Sequence, residues 1–123
     1  MTTISTNLQA VRARIAAAAQ LAGRAVEDIR LLAVSKTFPP ERIREAAQAG
    51  QIAFGENYLQ ESLGKIAALA DLGLEWHFIG PLQSNKTRPV AEHFAWAHGV
   101  ERLKIAERLA EARGAERPPL QIC

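Results

Sequence analysis

Ile4, Leu8, Val11, Ile15, Ala19 and Ala22 recur at spacings of three and four residues, which predicts the apolar face of an amphipathic helix, with Gly23 placed to stop it. The period then changes. Leu31 to Ser35 is a short apolar run that predicts a strand, and Pro39 and Pro40 open a helical stretch from Glu41 to Ala49 that Gly50 closes. Proline at the start of a helix and glycine past its end is the expected asymmetry. The same strand, loop and helix unit repeats. Ile52 to Phe54 leads into a helix from Tyr58 to Leu72, Leu74 to Ile79 leads through Gly80 and Pro81 into one from Ser84 to His93, and Ala95 to Val100 leads into one from Glu101 to Arg113. After Pro118 and Pro119, "LQIC" reads as the opening of a fifth strand.

Strands that alternate with helices at this spacing predict parallel pairing through right-handed crossovers, in a doubly wound sheet or a barrel. No G-x-G-x-x-G follows the first strand, which lowers the weight of a dinucleotide-binding sheet. No low-complexity segment or linker divides the chain, so residues 1–123 are expected to form one domain. A parallel strand is normally buried on both faces and followed by a helix. A chain that stops within "LQIC" is therefore expected to be part of a longer fold.

Composition narrows the function classes. With 123 residues, 48% of them hydrophobic, the chain can bury a core of single-domain size. Its 15 basic and 13 acidic residues are interspersed, too even a mixture for a nucleic-acid or membrane footprint. Cys123 is the one cysteine, so no internal disulfide forms, and a small core residue is the expected role for it. No signal-peptide pattern appears, and no apolar run approaches the roughly 20 residues that span a bilayer. A cytoplasmic protein is expected. His77, His93 and His98 lack zinc-ligand spacing, so no metal is expected.

Candidate chemistry gathers at strand ends, where ligands of parallel α/β folds collect. Lys36 closes the first apolar run. Alternation puts Leu32, Val34 and Lys36 on one face and Leu31, Ala33 and Ser35 on the other. If the first face lines a barrel, the Lys36 amine points into its mouth, where partial desolvation makes a nucleophile towards carbonyls. The competing reading is a strand-end lysine that reaches out to water. Asn57 of "FGENYLQE" either lines the mouth or caps the next helix. His77 of "WHFIGPLQSNKTR" is either a mouth residue or a hydrogen-bonded interior histidine. Ser84 fits an N-cap. Lys86 and Arg88 oppose the dipole at that helix start, either as a solvated basic turn or as a site for an anion or partner.

"AVSKT", "FGENYLQE" and "WHFIGPLQSNKTR", in that order, resemble the pyridoxal phosphate homeostasis protein family, whose barrel is like the N-terminal domain of alanine racemase. "AEHFAWAHGV", "RLKIAERL" and "PPLQIC" extend the resemblance over essentially the whole chain. It implies an α/β fold, the first half of a (β/α)8 TIM barrel with a leading helix, cut at the start of the fifth strand. It also implies that Lys36 holds pyridoxal 5′-phosphate as an internal aldimine, a Schiff base; Asn57 and His77, from their places at strand ends, are the further cofactor-binding candidates. The implied function is non-catalytic binding and intracellular homeostasis of the cofactor, with no catalytic residue assigned.

The family's phosphate-binding serine, glycine and threonine residues lie in the second half, which this sequence does not contain. Glu101 stands where the family usually has aspartate. A complete barrel has about 250 residues, and half a barrel leaves open sheet edges that favour self-association, whereas the full-length relative is expected to be monomeric. Two other classes compete. A racemase-type enzyme needs a second acid/base residue opposite the lysine, which alanine racemase takes from the tyrosine of a separate domain, whereas the one tyrosine here, Tyr58, sits in a loop or helix start. An RNA-binding module using "SNKTR" would bind with steep salt dependence, which the mixed charge pattern gives little reason to expect.

Overall fold

Thr3 begins helix α1 (Ile4–Ala22) by accepting the Thr6 amide on its Oγ1 at 3.1 Å, and Gly23 ends it at φ 69°. That left-handed conformation suits glycine. The chain is described by a computed structural model covering residues 3–123. Strand β1 (Ala33–Val34) leads to helix α2 (Pro40–Gln48), β2 (Ala53–Glu56) to α3 (Leu59–Ala68), β3 (Glu75–Phe78) to α4 (Thr87–His93) and β4 (Trp96–Ala97) to α5 (Leu103–Arg113). Strand β5 (Gln121–Ile122) follows.

All five strands pair in parallel in the order β1-β2-β3-β4-β5. Each strand thus lies beside its predecessor in the chain. A doubly wound sheet would reverse direction at a switch point; this one does not.

The register separates two faces. Val34, Gly55, His77, Trp96 and Gln121 are successive partners across the sheet. Parallel partners share a side, so these five form one row on the face turned from the helices. The other face carries Phe54, Trp76, Phe78 and Ala97, all buried with Ile43, Leu69, Val90, Phe94, Ile105 and Leu109. Phe54 and Trp76 lie 5.9 Å apart between ring centroids, and Phe78 meets Phe94 edge-on at 5.4 Å. This is the core, and its burial is the main stabilising term.

Arg113 closes the far end of α4. Its Nη1 donates to the carbonyls of Ala91 at 2.8 Å and Phe94 at 2.6 Å, and its Nε donates to Pro118 at 2.7 Å. Carbonyls that a helix end leaves without partners are thereby satisfied.

The expected elements are present with shorter cores. The helix read from Tyr58 to Leu72 ends at Ala68 and continues as a 3-10 turn, Ala70–Leu72, before Gly73 at φ 61°. Ser84 is not an N-cap: it lies inside a 3-10 turn, Ser84–Lys86, and its carbonyl accepts from Thr87 Oγ1 at 3.0 Å. Lys86, at φ −113° and ψ 3°, stands at the capping position of α4 instead, because the 3-10 turn runs directly into that helix. Cys123 is exposed and not a core residue, because β5 is an edge strand and both its residues are exposed. Among the described residues, no helix is long and apolar enough to cross a membrane.

Candidate functional site

The parallel sheet delivers the segments after β1, β2 and β3 to one edge. Ser35 N donates to the Gly55 carbonyl at 2.9 Å, and Ile79 N donates to the Glu56 carbonyl at 2.8 Å, so the ladder runs on past the strands. Lys36, Asn57 and Ile79 each stand two residues beyond the row Val34, Gly55 and His77. Alternation therefore puts these three in one layer at the edge, with His77 one layer deeper.

Two glycines shape this layer. A Cβ at Gly80 would lie 2.9 Å from the Asn57 carbonyl oxygen, so only glycine lets the end of β3 approach Asn57 this closely. At Gly55 a Cβ would meet Ile79 Cδ1 at 3.2 Å and Leu32 Cδ2 at 3.5 Å, because those side chains fill the row above and below it.

Lys36 is exposed and makes no ion pair among the described residues. Asn57 does not cap α3. The capping position is Tyr58, without a side-chain cap bond, and Asn57 Oδ1 is buried with no hydrogen-bond partner. A buried amide oxygen left without a donor is uncommon enough to mark a place where a further donor fits.

His77 is engaged on both ring nitrogens. Its Nε2 lies 2.7 Å from Glu75 Oε1 and its Nδ1 lies 3.0 Å from His98 Nε2, while the ring stacks on Trp96 at 5.2 Å and 9°. Glu75 in turn accepts from Arg30 Nη2 at 2.6 Å. Burial pulls the Glu75 carboxyl upward, but the hydrogen bond with His77 and the Arg30 charge outweigh it and hold the group below its usual range. Burial, then the neighbouring His77, holds the His98 imidazole below its usual range.

A pH dependence follows. Below about pH 6.5 an unfolded histidine takes up a proton, whereas folded His98 resists until lower pH. The unfolded state then binds more protons, so stability is lost as pH falls from 6.5 towards the folded value. Glu75, also depressed, loses its contribution only in the carboxylate range. Urea midpoints should therefore fall between pH 7.5 and 5.5, and His98→Gln should flatten that slope. An unchanged slope in the variant would assign the dependence to other groups.

Sequence reasoning missed a second cluster on the helix-facing side of the same edge. Ser35 and Glu56 alternate with Lys36 and Asn57, and both are buried. Ser35 Oγ donates to Glu56 Oε2. Lys65 Nζ, from α3, lies 3.1 Å from both Glu56 carboxylate oxygens, 2.9 Å from the Ser35 carbonyl and 2.8 Å from Glu61 Oε1. Glu61 Oε1 also accepts from Thr37 N at 3.0 Å, and the Lys65 hydrogen bond holds the Glu61 carboxyl below its usual range. The signal was present in principle: a glutamate two residues after Phe54 on an apolar strand face, with a Glu–Lys pair four apart on the next helix.

Lys86 and Arg88 are exposed at the start of α4, and Arg88 reaches Glu92 only at 3.8 Å. Among the described residues, no group of three or more histidine, cysteine, aspartate or glutamate side chains gathers as a metal site would require.

No family model matches the chain. A pyridoxal phosphate homeostasis protein of Pseudomonas aeruginosa is 63% identical over 123 residues, which is 100% of this chain and 54% of that protein. One from Escherichia coli is 58% identical over 125 residues, covering 99% of this chain and 53% of its own length. Among solved structures, PipY of Synechococcus elongatus with PLP bound matches at a TM-score of 0.68 and 46% identity, over 80% of this chain and 47% of that one. The same protein without PLP matches at 0.74 and 44%, over 89% and 51%. The chain spans about half the length of the curated relatives it matches.

Proposed function

We propose, from the premise that this chain is kin along its whole length to the pyridoxal phosphate homeostasis proteins, that it binds pyridoxal 5′-phosphate at the carboxyl edge of its sheet and serves homeostasis of that cofactor in the cytoplasm. Residues 1–123 are read as one partial domain, the arc of a (β/α)8 barrel formed by its first strands and the leading helix. The singly wound order of five parallel strands supports this reading, as does the likeness to PipY.

The observation that carries the assignment is the layer of Lys36, Asn57 and Ile79. It offers an exposed amine on the inner face, a buried amide oxygen without a donor, and a glycine where a side chain would close the approach. These residues fit a ligand bearing both a carbonyl and a hydrogen-bond donor. Pyridoxal phosphate supplies an aldehyde, which a lysine amine holds as a Schiff base. Lys36 would hold the aldehyde through its Nζ, with one water given up on binding and taken up again on release. Asn57 accepts from a ligand donor, and the His98–His77–Glu75 chain fixes the ring orientation of His77 below.

A binder that releases its ligand by hydrolysis needs no second acid/base residue. Tyr58, the one tyrosine, is half exposed at the start of α3 and offset by one residue from Asn57, which favours the binder over a racemase that needs a second acid/base residue opposite the lysine. The exposed Val34 on one edge strand and Ile122 on the other favour self-association of this chain through its sheet edges.

The chain mixed with stoichiometric pyridoxal 5′-phosphate should gain near-visible absorbance, and borohydride reduction followed by peptide mass spectrometry should place the label on Lys36. Lys36→Ala should remove both signals. Labelling scattered over Lys65, Lys86 and Lys104 alike would overturn the assignment.

A further inference from the structure

We propose that Glu61 and Lys65 are positioning residues for Lys36, holding the turn from Ser35 to Thr37 so that the Lys36 amine stays on the inner face. The inference rests on the reading of Lys36 as the amine that meets a carbonyl, and it adds how the fold aims that amine.

The two neighbours of Lys36 are tied to the same helix. The Ser35 carbonyl accepts from Lys65 Nζ at 2.9 Å, and Thr37 N donates to Glu61 Oε1 at 3.0 Å. Glu61 and Lys65 are themselves paired at 2.8 Å, one turn apart on α3. Ser35 is anchored a second time through its hydroxyl to Glu56, which Lys65 also holds.

Between these anchors the backbone is strained. Thr37 has φ 69° and is the one residue other than glycine in the left-handed region among the described residues. A β-branched residue adopts that conformation only where its surroundings impose it. Phe38 N donates to the Ser35 carbonyl at 3.1 Å and closes a turn with Thr37 at its third position, where φ is positive, and the Glu61 carboxylate receives the Thr37 amide within that turn. Ser35 points at α3 and is buried, so alternation sends Lys36 the other way.

Among the described residues, Lys36 itself has no charged partner to hold it. Its placement is therefore a property of the turn. A long side chain on a free turn spreads its amine over many positions, and reaction with a bound carbonyl falls with the fraction of time spent in reach.

Two variants separate the effect from folding. Glu61→Ala removes the acceptor for the Thr37 amide, whereas Glu61→Gln keeps an amide oxygen there without the charge. In the full chain, hydrogen exchange at Thr37 N should speed up roughly tenfold in Glu61→Ala. The share of borohydride-trapped pyridoxal phosphate found on Lys36, relative to Lys86 and Lys104, should fall by about tenfold. Glu61→Gln should restore both readings. Thr37→Gly keeps both anchors and suits the left-handed turn, so it should leave the Lys36 share unchanged without lowering the thermal midpoint.

Unchanged Thr37 exchange in Glu61→Ala overturns the clamp. Faster exchange with an undiminished Lys36 share overturns its role in positioning. If Glu61→Ala does not fold, a Lys36 share that falls about tenfold in Thr37→Gly, with both anchors intact, overturns the proposal by itself. Scattered labelling of the unmutated chain, with Thr37 protected, instead overturns the assignment of Lys36 and leaves the clamp measured by exchange.

Discussion

Lys65→Met should lower the free energy of unfolding by about 3–5 kcal/mol. Lys65 is 4% exposed and its partner Glu56 is 0% exposed. Methionine matches the length of the lysine stem but removes the ammonium, so the Glu56 carboxyl would be left in the interior with the Ser35 hydroxyl as its remaining side-chain donor. A buried ion pair with one member removed costs far more than the pair contributes when both are removed together.

Urea denaturation of the single variant against Lys65→Met/Glu56→Met checks the argument. The double variant should recover most of the loss, since neither charge then needs solvation. A single-variant loss below about 1 kcal/mol, the range of surface pairs, would show that water reaches Glu56 and that the cluster is no interior feature. The comparison also bears on the site, because Ser35 is shared between this cluster and the Lys36 turn.

Phe54→Ala should cost about 3–5 kcal/mol, the range for emptying a buried aromatic position. Phe54 is 2% exposed, lies opposite Ala33 and Trp76 in register, and packs beside Ile43 and Ala46. It also lines an apolar groove of about 240 Å³ reached by Leu8 and Phe38. Truncation would extend that groove into the core and leave its walls without partner atoms.

The next residue, Gly55, accepts the Ser35 amide through its carbonyl, so a loosened β2 should also weaken the edge that carries Lys36. Thermal unfolding gives the first effect, and the Lys36 share of trapped cofactor in the folded variant gives the second. A midpoint within a few degrees of the unmutated chain would mean that the groove collapses to fill the space.

Much of the architecture was legible because burial leaves a local, periodic trace. The leading helix from Ile4 to Ala22 and the alternation of short apolar runs with helices depend on neighbours three, four or two residues away. Proline and glycine punctuation located the turns for the same reason. Lys36 and Asn57 could be placed at strand ends because the carboxyl edge of a parallel strand is defined by the direction of the chain alone. The motifs around them also carried the family resemblance, which the relatives bear out over the whole chain.

Contacts between elements were a different matter. That Asn57 leaves α3 uncapped, that Ser84 sits inside a 3-10 turn, and that Cys123 lies exposed on an edge strand depend on how loops and layers meet. The Glu56–Lys65 pair and the left-handed Thr37 between its anchors have no periodic signature. They arise because the register of β1 on β2 brings Ser35 beside Glu56, and because α3 packs across both. Periodicity in the sequence by itself determined where helices and strands alternate along the chain; only tertiary packing decided which buried charges meet, since that is fixed by distances between segments far apart along the chain.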